Sequence, residues 1–247
     1  MAARAGLRTG RLDHRSAGLT GCPAARLPGC PTARLPGEFG ERYPLPSTGV
    51  PSICRVLLVL GSLRSRSTNT AVLRTARSSA PEGVVADLYD GLGELPHFNP
   101  DDDVNPLPPA VADLRRRIRE ADAVLFCTPE YAGALPGSFM NVLDWTIGDD
   151  LEGSIYQKPV AWINASPRGA VNAHQSLRQV FGYAHALIVE DACVAAPVAE
   201  AGLSDDGLVR DPKAIQEIAG AVAALDRYAK RLRLGDRPAP TPELGGQ

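Results

Sequence analysis

Residues 54–69 read CRVLLVLGSLRSRSTN, an apolar run that ends at a glycine and gives way to a hydroxyl-rich segment. The run over residues 54–60 is rich in Leu and Val, which predicts a strand buried on both faces of a sheet. Gly61 ends the run, and the Ser, Thr and Asn residues that follow are typical of a helix start. The stretch therefore predicts a strand, a short loop and a helix.

The same alternation continues along the region that we expect to fold, residues 51–234. Strands are predicted at residues 54–60, 84–89, 123–128 and 160–165, with a short one within 187–194. Helices are predicted at residues 70–79, 109–120, 135–146, 172–185 and 214–232. Strict alternation implies a parallel sheet with helices on both faces. Five such units match the doubly wound, flavodoxin-like α/β fold with strand order 2-1-3-4-5, in which ligands lie at the carboxyl ends of the strands.

The two ends of the chain differ in composition from this region. Residues 1–50 hold seven Arg and three acidic residues, and they contain the tandem repeat GCPAARLP, GCPTARLP over residues 21–36. Pro and Gly interrupt this segment throughout, so it cannot bury enough apolar surface to fold. We expect a disordered Arg/Pro/Gly-rich extension over residues 1–50 and a flexible tail over 235–247. The alternative is that the native protein starts near Val50.

Composition argues against several classes of protein. The net charge of −2 gives no general attraction to nucleic acid, and no apolar run approaches the roughly 20 residues of a membrane span. The five cysteines form no CxxC pair, so neither a disulfide framework nor a zinc site is expected, and a cytoplasmic location fits. Cys54, Cys127 and Cys193 lie in or beside apolar runs and are expected to be buried, unreactive thiols. The acidic run over residues 101–103 is expected to be solvated.

Loop 1, residues 61–69, carries the first candidate site. It offers hydroxyl groups, one amide and two guanidinium groups, on Ser62, Ser65, Ser67, Thr68, Asn69, Arg64 and Arg66. Together with the N–H groups of a helix N-terminus, such donors suit a dianionic phosphate monoester. The alternative is a capped helix start with solvated arginines. Because loop 1 holds no GxGxxG, no GxxxxGK[ST] and no cysteine, a Rossmann pyrophosphate site, a P-loop and a cysteine phosphatase are disfavoured.

Two further loops follow strands near the first one. The second candidate segment covers residues 128–145. Its first part, residues 128–136, is called loop 2; its backbone groups can meet the polar edge of a flat heterocycle, and Tyr131 adds an aromatic face. The alternative is a rigid strand-to-helix connection, with Trp145 beyond it in the core. In loop 3, residues 166–172, Gly169 permits close approach of the backbone to a ring.

Together these segments resemble a known family. GSLRSRSTN after an apolar strand, PEYAGALPGSFMNVLDW at residues 129–145 and SPRGAV at 166–171 followed by LRQVF are similar to the NADPH-dependent FMN reductases, which include chromate, quinone and azo reductases. The resemblance covers about residues 53–200. It implies an enzyme that takes electrons from NADPH or NADH and passes them through FMN to a small acceptor. It also implies a homodimer or homotetramer.

The resemblance also implies roles for individual residues. Those that contact the FMN phosphate are implied to be Ser62, Arg64, Ser67 and Asn69. Those that border the isoalloxazine ring are implied to be Pro129, Glu130, Tyr131 and Ala132, with Ser166 near the ring. We add Thr68, Gly133 and Arg168 from the same loops, because the charge of Arg168 suits the negative charge of a reduced flavin. FMN carries the redox chemistry, so no catalytic side chain and no metal are expected, and Glu130 is expected to orient backbone or solvent.

The chain departs from the family pattern at two positions. Ala132 stands where many members have Asn, which removes a side-chain amide but keeps the backbone contact to FMN. Met140 stands where many have Lys, which removes a charge that bears on the subunit surface. These departures leave FMN binding expected and the acceptor open.

Three other functions fit the same residues. The chain is alternatively an FMN-binding electron carrier that does not oxidise nicotinamide, or a reductase that supplies reduced flavin to a partner monooxygenase. A flavin-free α/β interaction protein is the third alternative. The histidines do not decide among these, since His174 and His185 are expected to be structural.

Overall fold

The computed structural model describes residues 53–147 and 153–236 of the chain. The expected extension over residues 1–50 and the tail from residue 237 onward lie outside the described residues. The strands are β1 Cys54–Leu60, β2 Val84–Tyr89, β3 Ala123–Cys127, β4 Pro159–Asn164, β5 Leu187–Ile188 and β6 Val194–Ala195. The helices are α1 Thr68–Ser78, α2 Pro109–Glu120, α3 Gly137–Asp144, α4 Val171–Tyr183 and α5 Pro212–Arg233. No helix within the described ranges is long and apolar enough to cross a membrane.

The strands form one parallel sheet in the order β2-β1-β3-β4-β5, which confirms the flavodoxin-like arrangement. The central strand β1 pairs with β2 on one side and with β3 on the other, Val56 lying opposite Ala86 and Ala123. Chain order reverses on either side of β1, so the carboxyl ends of β1 and β3 flank a topological switch point.

The last strand differs from the expectation. The single strand predicted within residues 187–194 is two short strands, both paired with β4, so the sheet has six strands where five were expected. A 3₁₀ turn, Glu190–Ala192, separates them. Glu190 and Asp191 are exposed there, and Glu190 forms an ion pair with Arg178 of α4. Two adjacent charged residues that stay in solvent interrupt the strand.

Side chains of β1 alternate between two apolar layers. Val56, Leu58 and Leu60 belong to a core formed with α1 and α5. Leu57 and Val59 belong to the core on the opposite face, which is formed with α2, α3 and α4. The expectation of helices on both faces is therefore confirmed, and every residue of β3 is buried, as an inner parallel strand requires.

Four helix starts differ by one or two residues from those predicted from sequence, and two of them border the loops that follow β1 and β3. α1 begins at Thr68, two residues before the predicted start at residue 70. α3 begins at Gly137, and Pro136, predicted within its first turn, is the N-cap residue. The antiparallel bridge between Tyr131 and Ala134 holds the preceding chain in a turn, so the helix starts only after it.

The connection between β2 and α2 is held by buried polar contacts. Arg115 is buried and bonds both oxygens of Asp103, at 2.7 and 2.9 Å, while its Nε donates to the Trp145 carbonyl. Asp103 is therefore not solvated as expected, although Asp101 and Asp102 are exposed. The Trp145 side chain is fully buried, which confirms its predicted core position.

The cysteines within the described ranges are free thiols. Cys54 and Cys127 are fully buried, and Cys193 is half-buried. Burial raises the pKa of Cys54 and of Cys193 to about 12 in each case, and it raises the pKa of Cys127 as well. Because the thiolate is the reactive form, these raised pKa values agree with the expectation of unreactive thiols, although Cys193 is less buried than expected.

Candidate cofactor site

Loops 1, 2 and 3 leave the carboxyl ends of β1, β3 and β4 and meet at one edge of the sheet. A Cβ on Gly61 would lie 2.5 Å from Thr128 Cβ, so loops 1 and 2 are in backbone-level contact. The Gly61 N–H donates to the Cys127 carbonyl at 2.9 Å, which extends the β1–β3 pairing into the loops. Only a glycine permits this approach, which places loop 1 directly beside loop 2.

Loop 1 combines buried polar side chains with exposed arginines. Ser62, Ser67 and Asn69 are buried, Thr68 is half-buried, and Arg64 is exposed. Ser67 is the N-cap residue of α1, but its side chain makes no capping hydrogen bond. The first N–H groups of α1 also lack intrahelical partners, as at any helix start. The Ser67 side chain therefore does not cap helix α1, contrary to the alternative considered from sequence. The Ser67 hydroxyl and the first N–H groups of α1 are available to bind an anion.

The Asn69 side chain is held in place by a thiol. The Cys127 S–H lies 3.2 Å from Asn69 Oδ1, to which it donates, and Asn69 Nδ2 lies 3.5 Å from Ser67 Oγ. The raised pKa of Cys127 keeps its proton in place for this contact. Cys127 is thus a positioning residue for Asn69, a role that its place in an apolar strand did not reveal.

Loop 2 contains a tight turn. Tyr131 and Ala134 exchange two backbone hydrogen bonds of 3.0 Å, and the two central residues have positive φ, 51° at Ala132 and 73° at Gly133. Positive φ at both central positions defines a type I′ turn. Tyr131 stands beside the turn with 47% of its surface exposed. The turn offers backbone groups and an accessible aromatic ring at the edge of the site.

We expect Ala132→Asn to stabilise the fold. Ala132 holds a left-handed conformation that costs an L-residue about 1–2 kcal/mol, whereas Asn tolerates it. The free energy of unfolding in urea should therefore rise by about 0.5–1 kcal/mol. Ala134→Asn is the matched control, since Ala134 is equally exposed and its φ is not positive. An Ala132→Asn protein no more stable than this control would contradict the account of the turn.

Glu130 joins loop 2 to helix α4. Its Oε2 accepts a hydrogen bond of 2.9 Å from the Ala173 N–H in the first turn of α4. The N-cap position itself is Ala170, which cannot cap through its side chain. Glu130 therefore orients backbone, as expected from sequence, and fixes loop 2 against the end of loop 3.

Loop 3 is shaped by Asn164, the last residue of β4. Its Oδ1 accepts from the Ser166 N–H at 3.0 Å, and its Nδ2 donates to the Gly169 carbonyl. The Ser166 Oγ accepts from the Arg168 N–H at 3.2 Å, and Gly169 has a φ of 95°. Sequence reasoning missed Asn164, because its position at the end of an apolar strand gave no sign of two loop contacts.

His174 lies buried behind these loops. Its Nδ1 lies 2.7 Å from the Ala170 carbonyl, which can only accept, so Nδ1 carries the proton. Nε2 is buried without a hydrogen-bond partner among the described residues. Burial lowers the pKa of His174 from 6.5, against the opposing effects of the Ala170 carbonyl and the Glu130 charge. His174 is a neutral residue with a structural contact, while His185 is exposed.

We expect this histidine to make stability depend on pH. The unfolded chain takes up a proton near pH 6.5 and the folded chain resists it, so stability is lost as the pH falls through 6.5. Between about pH 7 and about pH 5.5 the unfolding free energy should fall by up to about 1.4 kcal/mol per pH unit more in the native protein than in His174→Gln. Parallel pH profiles for the two proteins would show that His174 does not titrate differently on folding.

The residues predicted from sequence are brought together by this fold. Ser62, Arg64, Ser67, Thr68 and Asn69 lie in or at the end of loop 1, and loops 2 and 3 supply Pro129, Glu130, Tyr131, Ala132, Gly133, Ser166 and Arg168. The free hydrogen-bond donors and the arginines of loop 1 suit a phosphate ester. The turns of loops 2 and 3 suit a flat ring. No group of three or more His, Cys, Asp or Glu residues in the described ranges is placed to hold a metal.

Comparison with known proteins agrees with this geometry. An NAD(P)H-dependent FMN reductase of Pseudomonas aeruginosa is 36% identical over 183 residues, which are 72% of this chain and 97% of the relative. A quinone reductase of Escherichia coli is 26% identical over 185 residues, 73% of this chain and 97% of the relative. The structure of FerB, a flavoenzyme NAD(P)H:(acceptor) oxidoreductase from Paracoccus denitrificans, is 28% identical with a TM-score of 0.61 and covers 72% of this chain and 98% of that chain.

A protein family also matches this chain, over a range that includes all six strands of the sheet. The family described as NADPH-dependent FMN reductase matches residues 54–201, from the first residue of β1 to beyond β6. This range includes all three loops of the candidate site. The chain belongs to the NADPH-dependent FMN reductase family.

Proposed function

We propose that the three loops bind FMN and that the chain passes electrons from NADPH or NADH through it to a small acceptor. The observation that carries this proposal is loop 1, where the buried Ser67 hydroxyl caps nothing at the helix start. A helix N-terminus with free donors and a neighbouring arginine attracts a dianionic ester. Membership of a flavin-dependent oxidoreductase family supports the same assignment.

Loop 1 is proposed to hold the phosphate. Ser62, Ser67 and Thr68 supply hydroxyl donors, and Asn69 supplies amide N–H groups because its Oδ1 is already engaged by Cys127. Arg64 supplies charge from the exposed side of the loop. A phosphate monoester carries about −1.5 to −2 charges at pH 7, which matches one guanidinium and a set of neutral donors.

Loops 2 and 3 are proposed to border the ring. Pro129, Ala132, Gly133 and Ser166 present backbone groups there, and Glu130 and Asn164 keep the two loops in their conformations. FMN, when bound, supplies the redox chemistry between the nicotinamide and the acceptor. The chain's own residues bind and orient it, and Tyr131 offers an exposed aromatic face to the second substrate.

The acceptor is proposed to be a quinone or a similar small oxidant. The relatives named quinone reductase support this class, and azo or nitro compounds, metal oxyanions and free flavin are further candidates. Ala132 is exposed and has no side chain beyond Cβ, so its side chain adds little bulk at the turn. Since the same loops serve donor and acceptor, the two are proposed to bind in turn.

We also propose that the chain forms a homodimer or homotetramer in the cytoplasm. Leu63 is 61% exposed, Val171 60% and Tyr131 47%, and all three lie in the candidate loops or where α4 follows loop 3. Exposed apolar side chains are common at subunit contacts. The free, unpaired thiols within the described ranges agree with a reducing compartment.

Anaerobic absorption spectroscopy of the purified protein with added FMN tests the proposed function. We expect a bound flavin spectrum that bleaches rapidly with NADPH or NADH and returns when a quinone is added. If the bound flavin is not bleached by NADPH or NADH, the protein is instead an electron carrier. If FMN is lost on brief dialysis, a reductase that supplies flavin to a partner is favoured. A protein that binds no FMN would contradict the proposal.

A further inference from the structure

Some arginines within the described ranges form ion pairs and others do not. Arg115, Arg116, Arg117, Arg178, Arg210 and Arg231 form ion pairs with carboxylates. By contrast, Arg64, Arg66 and Arg168 are exposed in loops 1 and 3, and their side chains have no hydrogen bond or ion pair within the described ranges. Positive charge is thus left unneutralised at the edge where loops 1, 2 and 3 meet.

Loops 1, 2 and 3 contain a single acidic residue. Loops 1 and 3 contain no Asp or Glu, and loop 2 contains only Glu130, whose carboxylate accepts from the Ala173 N–H. The three loops therefore carry three positive charges and one negative charge, a net of +2, in a protein whose overall net charge is −2. The phosphate proposed at loop 1 is assigned to Arg64, which leaves Arg66 in loop 1 and Arg168 in loop 3 without an assigned ligand.

Arg168 occupies a built turn. Its own N–H donates to Ser166 Oγ, and Asn164 bonds both Ser166 and Gly169 on either side of it. The positive φ of Gly169 completes the turn. The backbone at Arg168 is therefore fixed by hydrogen bonds to neighbouring residues, while its guanidinium extends into solvent.

The position of this turn separates Arg168 from the proposed FMN phosphate. Loop 3 leaves β4, which is separated from β1 by β3 in the sheet, so loops 1 and 3 start about 10 Å apart at the usual strand spacing. We propose that a nicotinamide dinucleotide placed against the ring at loops 2 and 3 extends to this side, where Arg168 binds one of its phosphate groups. This inference rests on the proposed function, and it replaces the contact of Arg168 with the reduced flavin that was expected from sequence.

Two phosphate groups of the dinucleotide have the required chemistry. NADPH and NADH share a pyrophosphate, whereas only NADPH carries a 2′-phosphate. Both are anions that a solvent-exposed guanidinium binds through paired N–H donors. An arginine on the pyrophosphate serves both nucleotides equally, and an arginine on the 2′-phosphate selects NADPH.

Steady-state kinetics and calorimetry on the FMN-loaded protein test the assignment. The variant is Arg168→Gln, and the matched control is Arg227→Gln, which removes the same charge from an exposed position on α5. We expect the KM for the nicotinamide dinucleotide to be about tenfold higher in Arg168→Gln than in the native protein. This is the loss of affinity expected when one charge-assisted hydrogen bond is removed from a partly solvated site. Titration with ADP and with adenosine 2′,5′-bisphosphate measures binding without turnover.

The pattern of losses identifies the phosphate. Equal losses for NADPH, NADH and ADP assign the pyrophosphate, and losses confined to NADPH and the 2′,5′-bisphosphate assign the 2′-phosphate. If the KM and Kd values of Arg168→Gln lie within about twofold of those of Arg227→Gln, the inference is overturned. A loss of bound FMN from Arg168→Gln but not from Arg227→Gln would also overturn it. If the native protein binds no FMN, the proposed function fails, and the two nucleotide titrations still decide the role of Arg168.

Discussion

Gly61→Ala should separate loop 1 from loop 2 and weaken FMN binding at least tenfold. The added Cβ would lie 2.5 Å from Thr128 Cβ and 2.7 Å from its Cα, distances at which backbone must move. Overpacking of this kind costs about 1–3 kcal/mol of stability. The donors of loop 1 would shift away from the neighbouring turns, so one substitution should reduce both the free energy of unfolding and the affinity for FMN.

Gly137→Ala is the matched control for this experiment. Gly137 lies at the start of α3, and a Cβ there meets nothing within 4 Å. Urea unfolding and a titration of FMN followed by quenching of its fluorescence measure the two effects. If Gly61→Ala binds FMN as tightly as Gly137→Ala, the close approach of the loops is not needed for the site.

Arg64→Ala should weaken FMN binding by about 1.5–3 kcal/mol, the range for a hydrogen bond to a charged group. This corresponds to a rise in Kd of about 10- to 150-fold. Arg64 is exposed and has no side-chain partner within the described part of the chain, so its loss should change the unfolding free energy by less than about 0.5 kcal/mol. The effect is thus expected on binding and not on folding.

The control for Arg64→Ala is Arg77→Ala, which removes an exposed arginine from the last turn of α1. Both variants lose one positive charge, and only one loses it beside the proposed phosphate. Fluorescence titrations at two salt concentrations separate a specific contact from general attraction, which salt screens. Equal FMN affinities for the two variants would remove Arg64 from the site.

The regular part of the fold could be predicted because it depends on local pattern. The apolar run of β1, the glycine that ends it and the alternation of strands and helices determine a parallel sheet, and sheet topology then places the ligand at one edge. The same pattern predicts loops 1, 2 and 3, since each begins where an apolar run stops. The family resemblance added residue roles that the patterns left open.

The contacts that shape the loops could not be predicted, because they join residues far apart in sequence. Asn69 Oδ1 accepts from the Cys127 thiol, and the Glu130 carboxylate accepts from the Ala173 backbone N–H. The residues next to them in sequence give no sign of either pairing. The acidic run over residues 101–103 predicts solvated carboxylates, whereas the fold places Arg115 beside Asp103. The predicted start of α3 is wrong for a related reason, because the turn over residues 131–134 precedes the helix and α3 begins only after it.

A crystal structure of the protein grown with excess FMN tests the central claim most directly. We expect density for the phosphate against Ser62, Ser67 and Asn69, within reach of Arg64, and density for the ring against the turn at Ala132 and the Ser166 loop. Density for FMN at another surface, or loops 1 and 2 closed on each other with no cofactor between them, would contradict the account.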